Sequence, residues 1–104
     1  MEKTNDYSFE FSPLAAENLE KIIRYISFDL KNKKAAEQLV LSINNKLNNL
    51  SLFPYSYPIY ENSEYRKKQI IRKASLKSFL LLFEIDENYK KIIIVAVVHS
   101  KTVK

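Results

Sequence analysis

The sequence contains no glycine and no cysteine. Without glycine, every tight turn and helix C-terminus must place Asn, Asp, Ser or Lys in conformations that glycine normally takes. Glycine-rich phosphate loops are excluded as well, and with them the kinase and dehydrogenase chemistry that relies on such loops. Without cysteine there are no disulfides, thiolate nucleophiles or zinc ribbons, a pattern that fits a reducing compartment. Histidine occurs once, at His99, so no cluster of imidazoles is available to hold a metal, and no metal or other cofactor is expected. The N-terminus "MEKTNDYSFE" lacks an apolar core behind basic residues, so no signal peptide is expected. The apolar runs "FLLLF" and "IIIVAVV" fall far short of the roughly 18 residues that span a bilayer. The expectation is a cytoplasmic protein with no membrane partner.

At 104 residues, with 46% apolar and 28% charged residues, the chain is expected to form one domain over residues 1–104 around a single core. Lys and Arg number 17 against 12 Asp and Glu, a net charge of +5. An excess of this size suits a polyanion or an acidic protein partner, and it also serves solubility.

"YSFEF" alternates, with Tyr7, Phe9 and Phe11 on one side, as in a strand with one buried face. Ser12 then reads as an N-cap and Pro13 as the first helical residue. Ala15, Leu19, Ile22, Ile23, Ile26 and Leu30 recur at helical spacing. After "KNKK" a second helix carries Ala36, Leu39, Val40, Ile43, Leu47 and Leu50, and Phe53-Pro54 stops it. The short connection predicts an antiparallel helical hairpin.

"PYSYPIYENSEY" reads as a loop whose tyrosines either stack on bases or lid the core. Strands are predicted over 67–73, 78–85 and 91–99, with a turn at 86–88. The fold class is therefore α+β in the order β-α-α-β-β-β. It joins an N-terminal strand, a helical hairpin on one face and a C-terminal three-strand meander in a small antiparallel-rich sheet. The other face is expected to form a shallow basin, where Arg66, Arg72, His99 and Lys101 would converge if the basic sides of adjacent strands meet.

This element order, the segments "YSFEFSPLAAENLEKIIRYI", "LNNLSLFP" and "YRKKQII", and a last strand running into "VVHSK" together resemble the RelE/ParE superfamily of bacterial toxin–antitoxin toxins. The resemblance covers nearly the whole chain. It implies a growth-arresting toxin silenced by a cognate antitoxin. RelE-like members cut mRNA in the ribosomal A site without metal, through basic residues and in some branches a His or Tyr on the concave sheet face. ParE-like members poison DNA gyrase and have no known cleavage chemistry of their own.

Carried over by position, the resemblance makes His99, Arg66 and Arg72 the candidate catalytic residues. His99 would protonate the leaving 5′-oxygen. Lys68, Lys73, Lys101 and Tyr65 are the candidates for RNA or partner contact. The sequence departs from the family where Phe79 and Phe83 lack hydroxyls and where Glu84 replaces a common basic residue, unless Glu84 serves as a base or pairs with Arg72. Three functions follow: ribosome-dependent mRNA cleavage, gyrase inhibition, or a detoxified homologue that only binds its antitoxin. His99 has a role only in the first and favours it, although a lone histidine at a strand end is as readily a packed structural group.

Overall fold

The Ser12 hydroxyl is used twice where the chain turns from strand to helix. Oγ accepts from the Ala15 N–H at 3.0 Å and donates to the Val95 carbonyl at 3.1 Å. Its backbone N–H donates to the Ile94 carbonyl at 2.9 Å. One residue thus caps a helix and holds that helix to a strand some eighty positions away.

The computed structural model describes residues 6–61 and 70–100. The chain runs through β1 (Ser8–Phe11), α1 (Pro13–Arg24), a π-helical turn (Tyr25–Asp29), α2 (Lys33–Leu52), a 3₁₀ turn (Pro54–Ser56), β2 (Arg72–Leu76), β3 (Phe79–Asp86) and β4 (Lys91–His99). The predicted order and fold class hold. The strands form one mixed sheet in the order β1-β4-β3-β2, parallel only between β1 and β4. Among the described residues, no helix is long and apolar enough to cross a membrane.

The helices cover one face because their apolar stripes match that side of the sheet. Leu39, Ile43, Leu47 and Leu50 of α2, with Leu19 and Ile22 of α1, pack against Ala74, Leu81, Phe83, Ile92 and Ile94. Burying each of these large side chains contributes about 1.5–3 kcal/mol. On the opposite face Leu80, Leu82 and Ala96 form a second cluster with Tyr60 and Ile71. Tyr60 N–H donates to the Ile71 carbonyl at 2.7 Å, and Ile59 bridges Arg72, so this face is apolar and partly lidded. Tyr57 and Tyr60 therefore serve the core. The ring of Tyr57 meets Phe83 edge-on at 5.9 Å, and Tyr60 is buried.

One irregularity reorders β4. Leu82 opposes Ala96 whereas Phe83 opposes Ile94, so Val95 is an extra residue. A bulge of this kind shifts the alternation by one. Ile92 and Ile94 face the helices, Val95 and Ala96 both join the opposite cluster, and Val97 and His99 return to the helix side. The bulge is held in place by Ser12 on the Val95 carbonyl and by Asn18, whose Oδ1 accepts from the Val97 N–H at 3.0 Å.

The predicted strand over 67–73 is placed too early. Its described part begins at Arg72 and runs to Leu76, and residues 62–69 lie outside the described residues. An unpredicted two-residue turn, Lys77-Ser78, follows with Lys77 at φ 55°. The turn expected at 86–88 occupies 87–90 instead, with Lys90 at φ 51°, and Lys31 closes the π-turn at φ 53°. Among the described residues, lysine, not Asn or Asp, fills all three left-handed positions. No side-chain signal marks lysine for that role, which is why these boundaries were not legible.

Candidate functional site

His99 ends β4 opposite Phe79 on the helix side of the sheet. It is exposed, and its ring lies 4.6 Å from that of Phe79 with the planes inclined by 52°. Together with Ser78 it borders a cavity of 580 Å³ whose other walls are Lys21, Ile22, Tyr25, Ile26, Leu30 and Phe79. The bulge at Val95 explains this placement, because uninterrupted alternation from Ile92 and Ile94 would put His99 on the open face.

Arg72 also lies on the helix side, opposite Phe83. Its Nη1 donates to the Tyr57 carbonyl at 2.7 Å, and its guanidinium sits 5.2 Å from the Tyr55 ring centroid. By standard strand spacings, Arg72 and His99 are separated by roughly 13 Å along the strands and about 10 Å across them. Lys73 opposes Leu82 on the other face. The structure thus brings no two of His99, Arg72 and Lys73 together, and the expected convergence on one basin does not occur among them. Tyr65, Arg66, Lys68 and Lys101 lie outside the described residues. Among the described residues, no three His, Asp or Glu side chains converge as a metal would require.

Glu84 occupies the middle of β3 on the face away from the helices, opposite Ile93. Burial, and then the negative charge of Asp86, push its carboxyl above the ordinary value. Arg72, once a possible partner, points to the other face. Among the described residues nothing hydrogen-bonds Glu84 Oε1, which is buried.

A second constellation carried no sequence signal, because its members are far apart in the chain. The Glu87 carboxylate accepts from Tyr7 Oη at 3.0 and 3.2 Å, from Tyr55 Oη at 2.7 Å and from Lys90 Nζ at 2.8 Å. These donors, Lys90 first, hold the Glu87 carboxyl down at about 2. The Lys90 ammonium also lies 4.9 Å from the Tyr7 ring centroid. The β3–β4 turn is thereby tied to the N-terminal segment and to the Pro54–Ser56 turn. Nearby, Tyr57 Oη donates to Asn49 Oδ1, and burial pushes the Tyr57 phenol up.

A helical hairpin on one face of a mixed four-stranded sheet is the architecture of a class of toxin–antitoxin proteins. One such structure, the chromosomal ParDE toxin–antitoxin system from P. aeruginosa, matches with TM-score 0.70 and 18% identity. The match covers 91% of this chain and 97% of that one. Another, the RelBE2 toxin–antitoxin complex from Mycobacterium tuberculosis, matches with TM-score 0.63 and 17% identity over 95% of this chain and 97% of that one. At such identities the likeness establishes the fold. No curated protein matches the sequence. The family model of the ParE toxin of type II toxin–antitoxin systems, parDE, matches residues 9–103, and the chain belongs to that family. It is a toxin of a type II toxin–antitoxin system.

Proposed function

We propose that this toxin arrests growth by binding DNA gyrase and that it does not cut RNA. The observation that carries this reading is the distribution of charge across the sheet. On the face opposite the helices, the described residues of β3 present Glu84 and Asp86 beside apolar Leu80 and Leu82, while on the neighbouring strands Lys91 is paired with Glu10 and Lys73 stands opposite Leu82. A nuclease needs cations converging on a phosphate, and carboxylates there repel it. His99 and Arg72, the described members of the candidate catalytic set, lie on the other side of the sheet and far apart. The placement of His99 takes away the reason for preferring ribosome-dependent mRNA cleavage, and membership of the ParE family supports gyrase as the target. The cognate antitoxin silences the toxin by occupying its surface.

Brief expression in bacteria, with mRNA 5′ ends mapped and the DNA damage response measured in the same culture, tests this reading. The expected result is a damage response with intact mRNA. New 5′ ends phased to codons, without a damage response, would overturn it in favour of ribosome-dependent cleavage.

A further inference from the structure

The open sheet face presents an apolar surface in which Glu84 stands, with Asp86 and Glu10 on the same face toward its end. Ile93, Val95 and Val98 are each partly exposed there, and Leu82 and Ala96 form its floor. Glu84 stands among them with Oε1 buried and, among the described residues, without a hydrogen bond.

Among the described residues no cation hydrogen-bonds the buried oxygen of Glu84, Lys73 on the same face opposite Leu82 included. Arg72 is committed to the Tyr57 carbonyl and the Tyr55 ring on the far side of the sheet. Lys91 lies on the same face opposite Asp86, but its Nζ pairs with Glu10 Oε1 at 3.4 Å. The nearest charge along the strand, Asp86, is of the same sign and disfavours an ionised Glu84. A carboxylate in such surroundings destabilises the fold unless something supplies it with donors. Rotation about the terminal torsion exchanges its two oxygens, so a donor arriving from outside can satisfy the buried one.

We propose that the cognate antitoxin covers this face with an apolar segment carrying one arginine or lysine, and that this cation pairs with the Glu84 carboxylate. The proposal rests on the toxin assignment and specifies the chemistry of its partner. Arginine suits the position better, because its planar fork grips both carboxylate oxygens and sheds water more readily than an ammonium. The net charge of +5 attracts an acidic partner from a distance, whereas Glu84 asks for a positive group at one point. The two requirements together fix the orientation of the antitoxin and reject one that lacks the cation.

Calorimetric titration of the purified toxin with the product of the adjacent antitoxin gene tests the contact. Glu84→Gln keeps the shape and removes the charge, so its affinity should fall about 10- to 100-fold while its melting temperature is maintained. Glu84→Lys should bind weakly and recover affinity when the matching antitoxin cation is replaced by Glu, a rescue that misfolding cannot produce. Wild-type binding with unchanged Glu84→Gln affinity would overturn the contact alone. A wild-type toxin that fails to bind the antitoxin would overturn the partner assignment, and the contact with it.

Discussion

The His99 imidazole leans on the Phe79 ring across the β3–β4 pair, with centroids 4.6 Å apart, on the side that carries the helices. An aromatic pair of this kind contributes about 0.5–1.5 kcal/mol beyond its buried area. His99→Ala should therefore lower the melting temperature by several degrees, at about 4–8 °C per kcal/mol for a domain of this size. Growth arrest should fall only in proportion to the folded protein, and His99→Phe should restore both. A stable Ala variant that has lost its toxicity would return His99 to the chemistry.

The Glu87 hub predicts a pH dependence. Its carboxyl is held at about 2 against an ordinary 4.5, so the charged form is favoured by folding. That contribution is complete above about 4.5 and is lost as pH falls toward 2. The melting-temperature difference between wild type and Glu87→Gln should be constant at neutral pH and shrink across that window. Salt should also reduce it, because the Lys90–Glu87 pair is exposed. A difference independent of pH would show that the tyrosine hydroxyls, not the charge, hold the turn.

Ser12→Ala removes both an N-cap and the donor to the bulged Val95 carbonyl, and should cost about 1–2 kcal/mol in urea unfolding. Ser12→Asp keeps the cap without the donor and should fall between. Asn18→Ala leaves the Val97 N–H without its acceptor, with an expected cost of about 1–3 kcal/mol.

Phe83 is fully buried where β2, β3 and the Tyr57 ring meet. Phe83→Ala should cost about 3–5 kcal/mol, a large part of the roughly 5–15 kcal/mol that stabilises a small domain. Tyr89→Ala, at a turn where the side chain is 76% exposed, should change stability by less than about 0.5 kcal/mol.

The elements were legible where side-chain chemistry differs sharply between states. Ser12-Pro13 marked the start of the first helix, Phe53-Pro54 the end of the second, and the aromatic alternation of Tyr7, Phe9 and Phe11 the first strand. The candidate site was not legible, and the reason lies in β4. Both of its faces are apolar, so nothing in "KIIIVAVVH" reveals an extra residue, yet Val95 decides which face receives His99. Only the partners that hold the bulge, Ser12 and Asn18, record it, and they belong to another element. The Glu87 hub was hidden likewise, since Tyr7, Tyr55 and Lys90 meet it only after folding.

The three left-handed lysines bear on how fast partners meet. Each of Lys31, Lys77 and Lys90 adopts a backbone conformation that glycine takes at about 1 kcal/mol less strain. Replacing Lys31 and Lys77 with glycine should relieve that strain and shed two of the charges behind the +5, whereas Lys90 is kept because its ammonium holds Glu87. All three side chains are exposed, where charge steers diffusional encounter. The glycine variant should therefore capture an acidic partner more slowly, with an association rate less sensitive to salt. In this chain, turn geometry that would normally call for a residue without a side chain instead supplies positive charge for finding a partner.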